Sequence, residues 1–347
     1  MEHLFTKIID LVRNNSSFED RCVKFSDPDY RAIQLDKGNF HPIKETNNAN
    51  KLAFVDGGSA EILKSANFSL SMIRTFYCIY QGNKRIKSGK KEFYAFTNAI
   101  EKDNELYYNT EIISNNAAIP DKNDLLISSF DDTIRQGIAR ASISNVSNVI
   151  RRFSELTLAA DLIDNLEKDD IIILDGSLQC TFTNERKYMD SLFEKAIRKG
   201  VIVTGLSKTT SLMTDKGNSI NNALAKYNIE GKWLYNPIAE IKSNAHKADI
   251  SFVKLHEKSK HIFRHEICKE QKEKLRGAIS SLSGNSKDSV FVGYPYGLID
   301  ADKNARVSNN EKGMLKAFFS VKFGKDWERI NESLTTNDAH EILDRIG

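Results

Sequence analysis

The sequence has few cysteines, and their arrangement is not typical of a metal or redox site. The four cysteines are far apart in the chain and form no CxxC motif, which argues against a zinc ribbon or a thioredoxin-like centre. The first residues have neither the cationic start nor the apolar core of a signal peptide. We therefore expect reduced thiols and a cytoplasmic protein.

Long apolar runs and two common catalytic motifs are also missing. No stretch approaches the roughly 18 apolar residues of a transmembrane helix, so we expect no membrane association. The phosphate-binding motif GxxxxGK[ST] and the nucleophile motif GxSxG do not occur, which argues against an ATPase and a serine hydrolase. If ATP hydrolysis accompanies the function, a separate protein supplies it.

The chain has only a small excess of positive charge. The 347 residues include 50 Lys and Arg against 47 Asp and Glu, a net charge of +3. This balance neither identifies nor excludes a nucleic-acid-binding protein, because local clustering matters more than the total. The densest basic stretch, residues 84–91, is interpreted as a solvated hairpin or as part of a DNA channel.

Apolar runs and helical patterns alternate along the chain, which favours an α/β fold. Residues 171–174 form a continuous apolar run, the pattern of a strand buried on both faces. A helix over residues 184–199 and a strand over 201–203 follow, so we predict a right-handed parallel crossover. A long helix is predicted within residues 131–167, where apolar residues recur at three- and four-residue steps.

Further elements are predicted, with no linker that divides the chain. A hairpin is predicted over residues 68–98, a strand over 290–292 and a last long helix over 300–319. We predict one domain over residues 1–347, with a core over about 50–320, an insertion over about 81–130, an N-terminal helix over 1–12 and a helical tail over 320–347.

Two apolar runs each lead into an Asp-Gly sequence, at Asp56-Gly57 and at Asp175-Gly176. We interpret both aspartates as strand ends, which would bring them together at the sheet edge where α/β folds bind ligands. Neighbouring carboxylates repel each other unless a cation lies between them, and Mg²⁺ or Mn²⁺ prefers such oxygen ligands. The alternative for each aspartate is a turn or a helix cap.

Glu155 is a third candidate carboxylate. It shares a helical row with Ala159 and therefore borders the buried face of the predicted helix. Burying an unpaired carboxylate is costly, so we expect a partner. That partner is either a metal shared with Asp175 or a salt bridge with Arg151 or Arg152, and the row favours neither.

The three acids follow the order found in RNase H-like nucleases: a strand Asp, meander strands, a helix Glu and a second strand Asp. In those enzymes the carboxylates hold two metal ions that activate water and stabilise the leaving oxygen of a phosphodiester. The sequence therefore predicts an RNase H-like mixed sheet flanked by helices, with β-hairpin and helical insertions, and a metal-dependent nuclease.

A later motif, Gly293-Tyr294-Pro295-Tyr296-Gly297, extends the pattern to a known family. With the two Asp-Gly motifs, the Glu155 helix and Gly205-Leu206-Ser207-Lys208, it resembles the NurA nucleases over residues 54 to about 319. The resemblance implies a homodimer that cuts DNA with Mn²⁺ or Mg²⁺ and partners a HerA-like hexameric ATPase in double-strand break end resection. Exonuclease or endonuclease cleavage, with 5′-to-3′ polarity among the alternatives, is implied too.

The resemblance also implies which residues bind metal. Asp56, Glu155 and Asp175 would be ligands. Asp302 stands where many family members have a His, and Asp can still bind a hard cation. Asp300 is only two residues away, so either residue is a candidate for the fourth ligand.

Three further residues are candidates for catalysis or DNA binding. Lys208 would neutralise the scissile phosphate or orient water, with a solvated loop Lys as the alternative. Tyr294 matches a functional Tyr of the family and would contact DNA, with simple packing as the alternative. Arg264 would contact the DNA backbone or be an ordinary solvated Arg.

Two other functions fit the same sequence pattern. A non-catalytic subunit that binds DNA or docks onto a translocase would keep the scaffold without cleaving. A nucleotide phosphotransferase of the sugar-kinase and actin type would share the RNase H-like fold, although it normally needs a duplicated core and more Gly-rich loops.

Overall fold

A computed structural model describes residues 1–15, 19–44, 50–114 and 119–335. Its helices are α1 (Glu2–Asn15), α2 (Val146–Leu162), α3 (Glu185–Lys199), α4 (Ile220–Ala225), α5 (Leu275–Gly284), α6 (Tyr296–Ala305), α7 (Asn309–Phe323) and α8 (Asp326–Thr335). Its strands are β1 (Val23–Lys24), β2 (Tyr30–Ala32), β3 (Phe40–Pro42), β4 (Lys51–Lys64), β5 (Phe68–Gln81), β6 (Lys84–Lys102), β7 (Glu105–Ile113), β8 (Leu126–Ser128), β9 (Ile171–Asp175), β10 (Ile202–Ser207), β11 (Met213–Thr214), β12 (Trp233–Tyr235), β13 (Ala239–Ile241), β14 (Ala248–Lys254) and β15 (Phe263–Cys268).

One mixed sheet of 11 strands organises the molecule, in the order β3-β12-β14-β15-β10-β9-β4-β5-β6-β7-β8. Strand β9 lies between β4 and β10 and is parallel to both. All other neighbouring strands of this sheet are antiparallel. The β9–α3–β10 unit is the predicted parallel crossover, which is confirmed. The register between β4 and β9 sets Val55 beside Leu174, so the next residues, Asp56 and Asp175, are neighbours.

Helices cover both faces of the central strands. On one face, α2 and α3 pack against the inward side chains of β4, β9 and β10. On the other face, α5 and α6 pack against alternate side chains of the same strands, among them Phe54 and Ile173. Side chains of a strand alternate between faces, so Phe54 and Asp56 point towards α6, whereas Val55 points towards α2. The fold is therefore the predicted RNase H-like mixed sheet flanked by helices.

The N-terminal half of the sheet differs from the prediction at Asp56. This residue is not at a strand end, because β4 continues for eight residues beyond it and pairs with β5 along its length. The predicted insertion at 81–130 holds the whole of β6, β7 and β8, which extend the central sheet. The division into a core and an insertion stays a prediction.

Three helix and strand predictions need correction. The helix predicted within residues 131–167 begins only at Val146, after turns that include a left-handed Gly137. Residues 290–292 form no strand; Phe291 instead stacks on Tyr294. The predicted helix over 300–319 is two helices, because Arg306 is extended and the Ser308 side chain caps α7 by accepting from the Glu311 amide.

Helices lie in both terminal regions, as predicted, although the structure does not describe the end of the predicted C-terminal tail. The N-terminal helix runs over Glu2–Asn15, and α7 and α8 occupy the C-terminal region. Residues 336–347 of the predicted tail lie outside the described residues. Within the described part of the chain, no helix combines the length and the apolar character needed to cross a membrane.

Candidate metal centre

The site is centred on three aspartates from three different elements. Asp56 lies in the middle of β4, Asp175 ends β9 and Asp302 lies on α6. One carboxylate oxygen from each lies within 4.8 Å of the others. The sheet register supplies the first two neighbours, and the packing of α6 on β4 and β5 supplies the third.

The structure distinguishes Asp302 from Asp300. Asp300 points away from the aspartate cluster and accepts hydrogen bonds from Tyr80 at 2.9 Å and from Arg85 at 3.0 Å. Asp302 lies with Asp56 and Asp175. The two acids are two positions apart on a helix, so they point in different directions, and only Asp302 belongs to the cluster.

Glu155 approaches the cluster from the opposite face of the sheet. It is 4 % exposed and forms an ion pair with Arg151, while Arg152 lies 3.7 Å away. It is not among the three carboxylates that share the 4.8 Å grouping. The structure therefore contains the salt bridge that the sequence raised as one alternative, and metal binding by Glu155 stays a prediction.

Gly57 makes room for Glu155 and does not form the turn expected from the sequence. A Cβ at Gly57 would lie 2.5 Å from the Glu155 Oε1 atom, closer than real Cβ contacts. At Asp175 the expected turn is present: Gly176 has a φ of +114°, which other residues rarely adopt.

Gly57→Ala should therefore lower stability by about 1–3 kcal/mol, the usual range for overpacking a buried site, and displace the Glu155 carboxylate. Chemical denaturation of the metal-free protein would measure the change. Gly277→Ala on α5 is a suitable control, because a Cβ there meets nothing within 4 Å. An unfolding midpoint of Gly57→Ala equal to that of the wild type would contradict this packing role, whereas Gly277→Ala, inside a helix, should not lower it.

Lys208 provides the positive charge at the centre. Its Nζ atom lies 2.7 Å from Asp175 and 2.6 Å from Asp302. Lys208 follows β10, which is parallel to β9, so the crossover itself brings this residue to Asp175. The amine therefore bridges two acids of the cluster, although the side chain is 40 % exposed; a role of Lys208 in catalysis stays a prediction.

Tyr294 lies beneath the cluster with its ring packed on Phe263 and Phe291. It is 1 % exposed, and its hydroxyl is one of the few buried polar atoms among the described residues without a hydrogen-bond partner. Burial raises the pKa of this phenol, and the charges of Asp175, Asp56 and Asp302 raise it further. The hydroxyl is therefore a neutral donor close to the acids.

Burial and mutual repulsion raise the pKa values of the Asp56 and Asp175 carboxyl groups. Burial raises the pKa of Asp56 to about 8, and the negative charges of Asp175 and Glu155 contribute to the shift. Burial also raises the pKa of Asp175, although the hydrogen bond from Lys208 opposes this. Positive charge brought to the cluster would allow all of its carboxylates to ionise.

The raised pKa of Asp56 predicts a pH-dependent stability. The folded chain holds a proton up to about pH 8, whereas an unfolded Asp loses it near 3.8. Metal-free protein should therefore lose stability as the pH rises between these values. Asp56→Asn should match wild type near pH 4 and exceed it at pH 8.5 by more than about 1 kcal/mol, since one pKa unit corresponds to about 1.4 kcal/mol.

Thermal denaturation in EDTA across that pH range would test this prediction. Asp161→Asn, which removes an exposed carboxylate of α2, controls for the loss of one negative charge. A difference between Asp56→Asn and wild type that stays constant from pH 4 to pH 8.5 would contradict the assignment.

Arg264 does not lie with the aspartates. It pairs with buried Glu266 at 2.6 Å, on the face of β15 opposite to Phe263, so it is not an ordinary solvated Arg. A contact between Arg264 and DNA stays a prediction. The basic run of residues 84–91 is divided: Lys90 pairs with Glu92, while Lys87 reaches Asn165 beside the C-terminus of α2.

Arg151 is a site residue that the sequence indicated only as a salt-bridge partner. Besides Glu155, it donates to the Gly57 carbonyl at 3.3 Å, and its charge opposes the raised pKa of Asp175. Its four-residue spacing from Glu155 was visible in the sequence. Its approach to β4 was not.

The fold and this acid cluster on the central strands together define an RNase H-like α/β protein. A family model described as the NurA domain matches residues 50–307. The chain therefore belongs to the NurA family. A comparison with curated proteins finds no match.

Solved structures resemble the chain at low sequence identity. The NurA nuclease from Sulfolobus solfataricus is 14 % identical, with a TM-score of 0.52 over 94 % of this chain and 98 % of that one. The catalytic domain of human endonuclease V is 9 % identical, with a TM-score of 0.38 over 92 % of this chain and 98 % of that one. Family membership supports a nuclease, and the likeness to the Sulfolobus protein shows the shared fold.

Proposed function

We propose that this protein is a divalent-metal-dependent deoxyribonuclease that acts at DNA double-strand break ends. The observation that carries the proposal is the convergence of Asp56, Asp175 and Asp302 within 4.8 Å of one another beside Lys208. NurA family membership supports phosphodiester hydrolysis as the chemistry of that cluster.

The donor set fits a hard divalent cation. Three carboxylates offer oxygen ligands, which Mg²⁺ and Mn²⁺ prefer. The pKa of Asp56, raised by burial and by its acidic neighbours, indicates a cluster that requires positive charge to ionise fully. Asp56, Asp175 and Asp302 would hold the metal, and Glu155 would join them only by leaving Arg151.

A bound divalent cation would activate water and neutralise charge that develops on the phosphate, and two such ions are expected from the family resemblance. Lys208 already spans two of the acids, so it would turn towards a non-bridging phosphate oxygen. The Tyr294 hydroxyl can donate a hydrogen bond, and it has no hydrogen-bond partner among the described residues. It would therefore be able to donate to a phosphate oxygen. Attack of water on phosphorus, with the 3′-oxygen as the leaving group, would produce a 3′-hydroxyl and a 5′-phosphate.

The proposal includes a cytoplasmic homodimer that works with a HerA-like hexameric ATPase. Apolar side chains exposed on α1 and α7 offer surfaces for protein partners. Among them are Leu4, Phe5, Ile8, Met314, Phe318 and Val321.

Labelled linear and circular DNA incubated with Mn²⁺, Mg²⁺ or EDTA would test the activity. We expect cleavage with either metal, none with EDTA, and 5′-phosphate ends. DNA binding without cleavage would favour the non-catalytic subunit. Phosphorylation of a small molecule by ATP, without cleavage, would favour the phosphotransferase.

A matched control is needed because traces of contaminating nucleases also require metals. Asp56→Asn protein purified in the same way provides it. Cleavage of equal rate by this variant would assign the activity to another protein and overturn the proposal.

A further inference from the structure

A buried carboxylate lies directly behind the loop that follows Asp175. Glu266 on β15 is 1 % exposed, and burial of such a charge is unfavourable unless donors surround it. The loop supplies two donors: the Ser177 hydroxyl lies 3.1 Å from each carboxylate oxygen, and the Leu178 amide lies 2.7 Å from Oε2. Glu266 therefore binds the two residues that come just after the Gly176 turn.

Two side chains from other elements complete the shell. Arg264 lies 2.6 Å from Oε1 and the His246 Nε2 atom lies 2.9 Å from Oε2. Burial alone would raise the pKa of Glu266, but His246, Arg264 and the Leu178 amide hold it at about 2. The carboxylate is thus charged and saturated with donors.

The same loop is held from other directions, so its backbone has little freedom. The Gly176 amide donates to the Leu206 carbonyl at 3.0 Å. Arg152 of α2 donates to the Ser177 carbonyl at 2.8 Å. Glu266 accepts from the Ser177 hydroxyl and the Leu178 amide of the loop, and these contacts together fix the direction in which the preceding Asp175 leaves β9.

The hydrogen-bonded chain continues to the N-terminal segment. The Tyr30 hydroxyl lies 2.9 Å from the His246 Nδ1 atom. In a neutral His246 whose Nε2–H donates to Glu266, Nδ1 accepts and Tyr30 is the donor. Tyr30 begins β2, which precedes the 50–307 range matched by the NurA family model.

We propose that Glu266 is a positioning residue of the metal centre, and that Tyr30 supports it through His246. The inference rests on the proposed function, since the loop that Glu266 holds carries Asp175 to the metal. The segment that carries Tyr30, which lies outside the matched family range, would thus help to set metal affinity.

Mn²⁺ binding to the full chain, followed by the electron paramagnetic resonance signal of free Mn²⁺, would test the inference without relying on activity. Glu266→Gln keeps the shape of the side chain but replaces one acceptor oxygen with a donor. We expect Mn²⁺ affinity to fall about ten- to hundredfold, as for other residues that orient metal ligands. Cleavage should recover towards the wild-type kcat when Mn²⁺ is raised, with an unchanged KM for DNA.

Tyr30→Phe removes one hydroxyl at the far end of the chain of hydrogen bonds. It should weaken Mn²⁺ binding by roughly two- to tenfold, the effect of one hydrogen bond, and this variant keeps the inference testable if Glu266→Gln does not fold. Ser251→Ala is the control. Ser251 lies on β14, next to β15, and is as buried as Glu266. It bonds His265, whose side chain points to the opposite face of β15 from Glu266.

The outcomes separate this inference from the proposed function. Wild-type protein that neither binds Mn²⁺ nor cleaves DNA would overturn the function itself. Wild-type protein that does both, with Glu266→Gln or Tyr30→Phe no weaker in Mn²⁺ binding than Ser251→Ala, would overturn only the positioning role.

Discussion

Asp175→Asn should reduce DNA cleavage by more than about a hundredfold, because residues that merely orient metal ligands already account for 10- to 100-fold. The change removes the negative charge at the end of β9 and keeps the volume of the side chain. Asp56→Asn should have a similar effect. Both variants should stay folded and bind DNA, since the raised pKa values of these acids show that their charge does not stabilise the metal-free fold.

Single-turnover cleavage and DNA-binding titrations would measure the two effects separately. Asp300→Asn is a matched control, because Asp300 lies on the same helix as Asp302 but bonds Tyr80 and Arg85 instead of joining the cluster. It should keep most of the activity. Full activity in Asp175→Asn, or an inactive Asp300→Asn that is still folded, would contradict the assignment of ligands.

Lys208→Met should lower kcat by about 10²- to 10³-fold, the usual effect of removing one group that stabilises charge in a transition state. The Lys208 amine lies 2.7 Å from Asp175 and 2.6 Å from Asp302, so it is beside the reacting phosphate in the proposed complex. The purely structural alternative predicts a different result. If Lys208 only neutralised the acids, a saturating metal concentration would replace it and restore the rate.

Cleavage rates measured over a range of Mn²⁺ concentrations would decide between these roles. Lys274→Met provides the control, because Lys274 pairs with Asp169 at 2.9 Å at the start of β9, the end opposite to Asp175. Its loss should leave kcat unchanged. Full recovery of Lys208→Met at high Mn²⁺ would contradict a direct role in the reaction.

The central strands could be predicted from the sequence because their signals are local. The apolar run before Asp175, the helix after it and the next strand form one crossover, and each element has its own pattern. Asp56 misled the prediction because Gly57 and Gly58 resemble a turn. Gly57 instead accommodates Glu155 from another layer, and only the tertiary structure reveals that contact.

The end of α6 shows a signal that the sequence contained and that was missed. Ser308 and Glu311 have the three-residue spacing of a helix cap, which divides the predicted 300–319 helix and sets the length of the helix that carries Asp302. By contrast, no local pattern links Tyr30, His246 and Glu266. They are far apart in the chain and meet only because β2, β13 and β15 are brought together by the fold.

Crystals grown with Mn²⁺, with anomalous scattering recorded at the manganese edge, would test the metal centre most directly. The account predicts an anomalous peak bound by Asp56, Asp175 and Asp302, with the Lys208 amine displaced from its bridging position. Manganese bound elsewhere, or an acid cluster still bridged by Lys208 at saturating Mn²⁺, would contradict it.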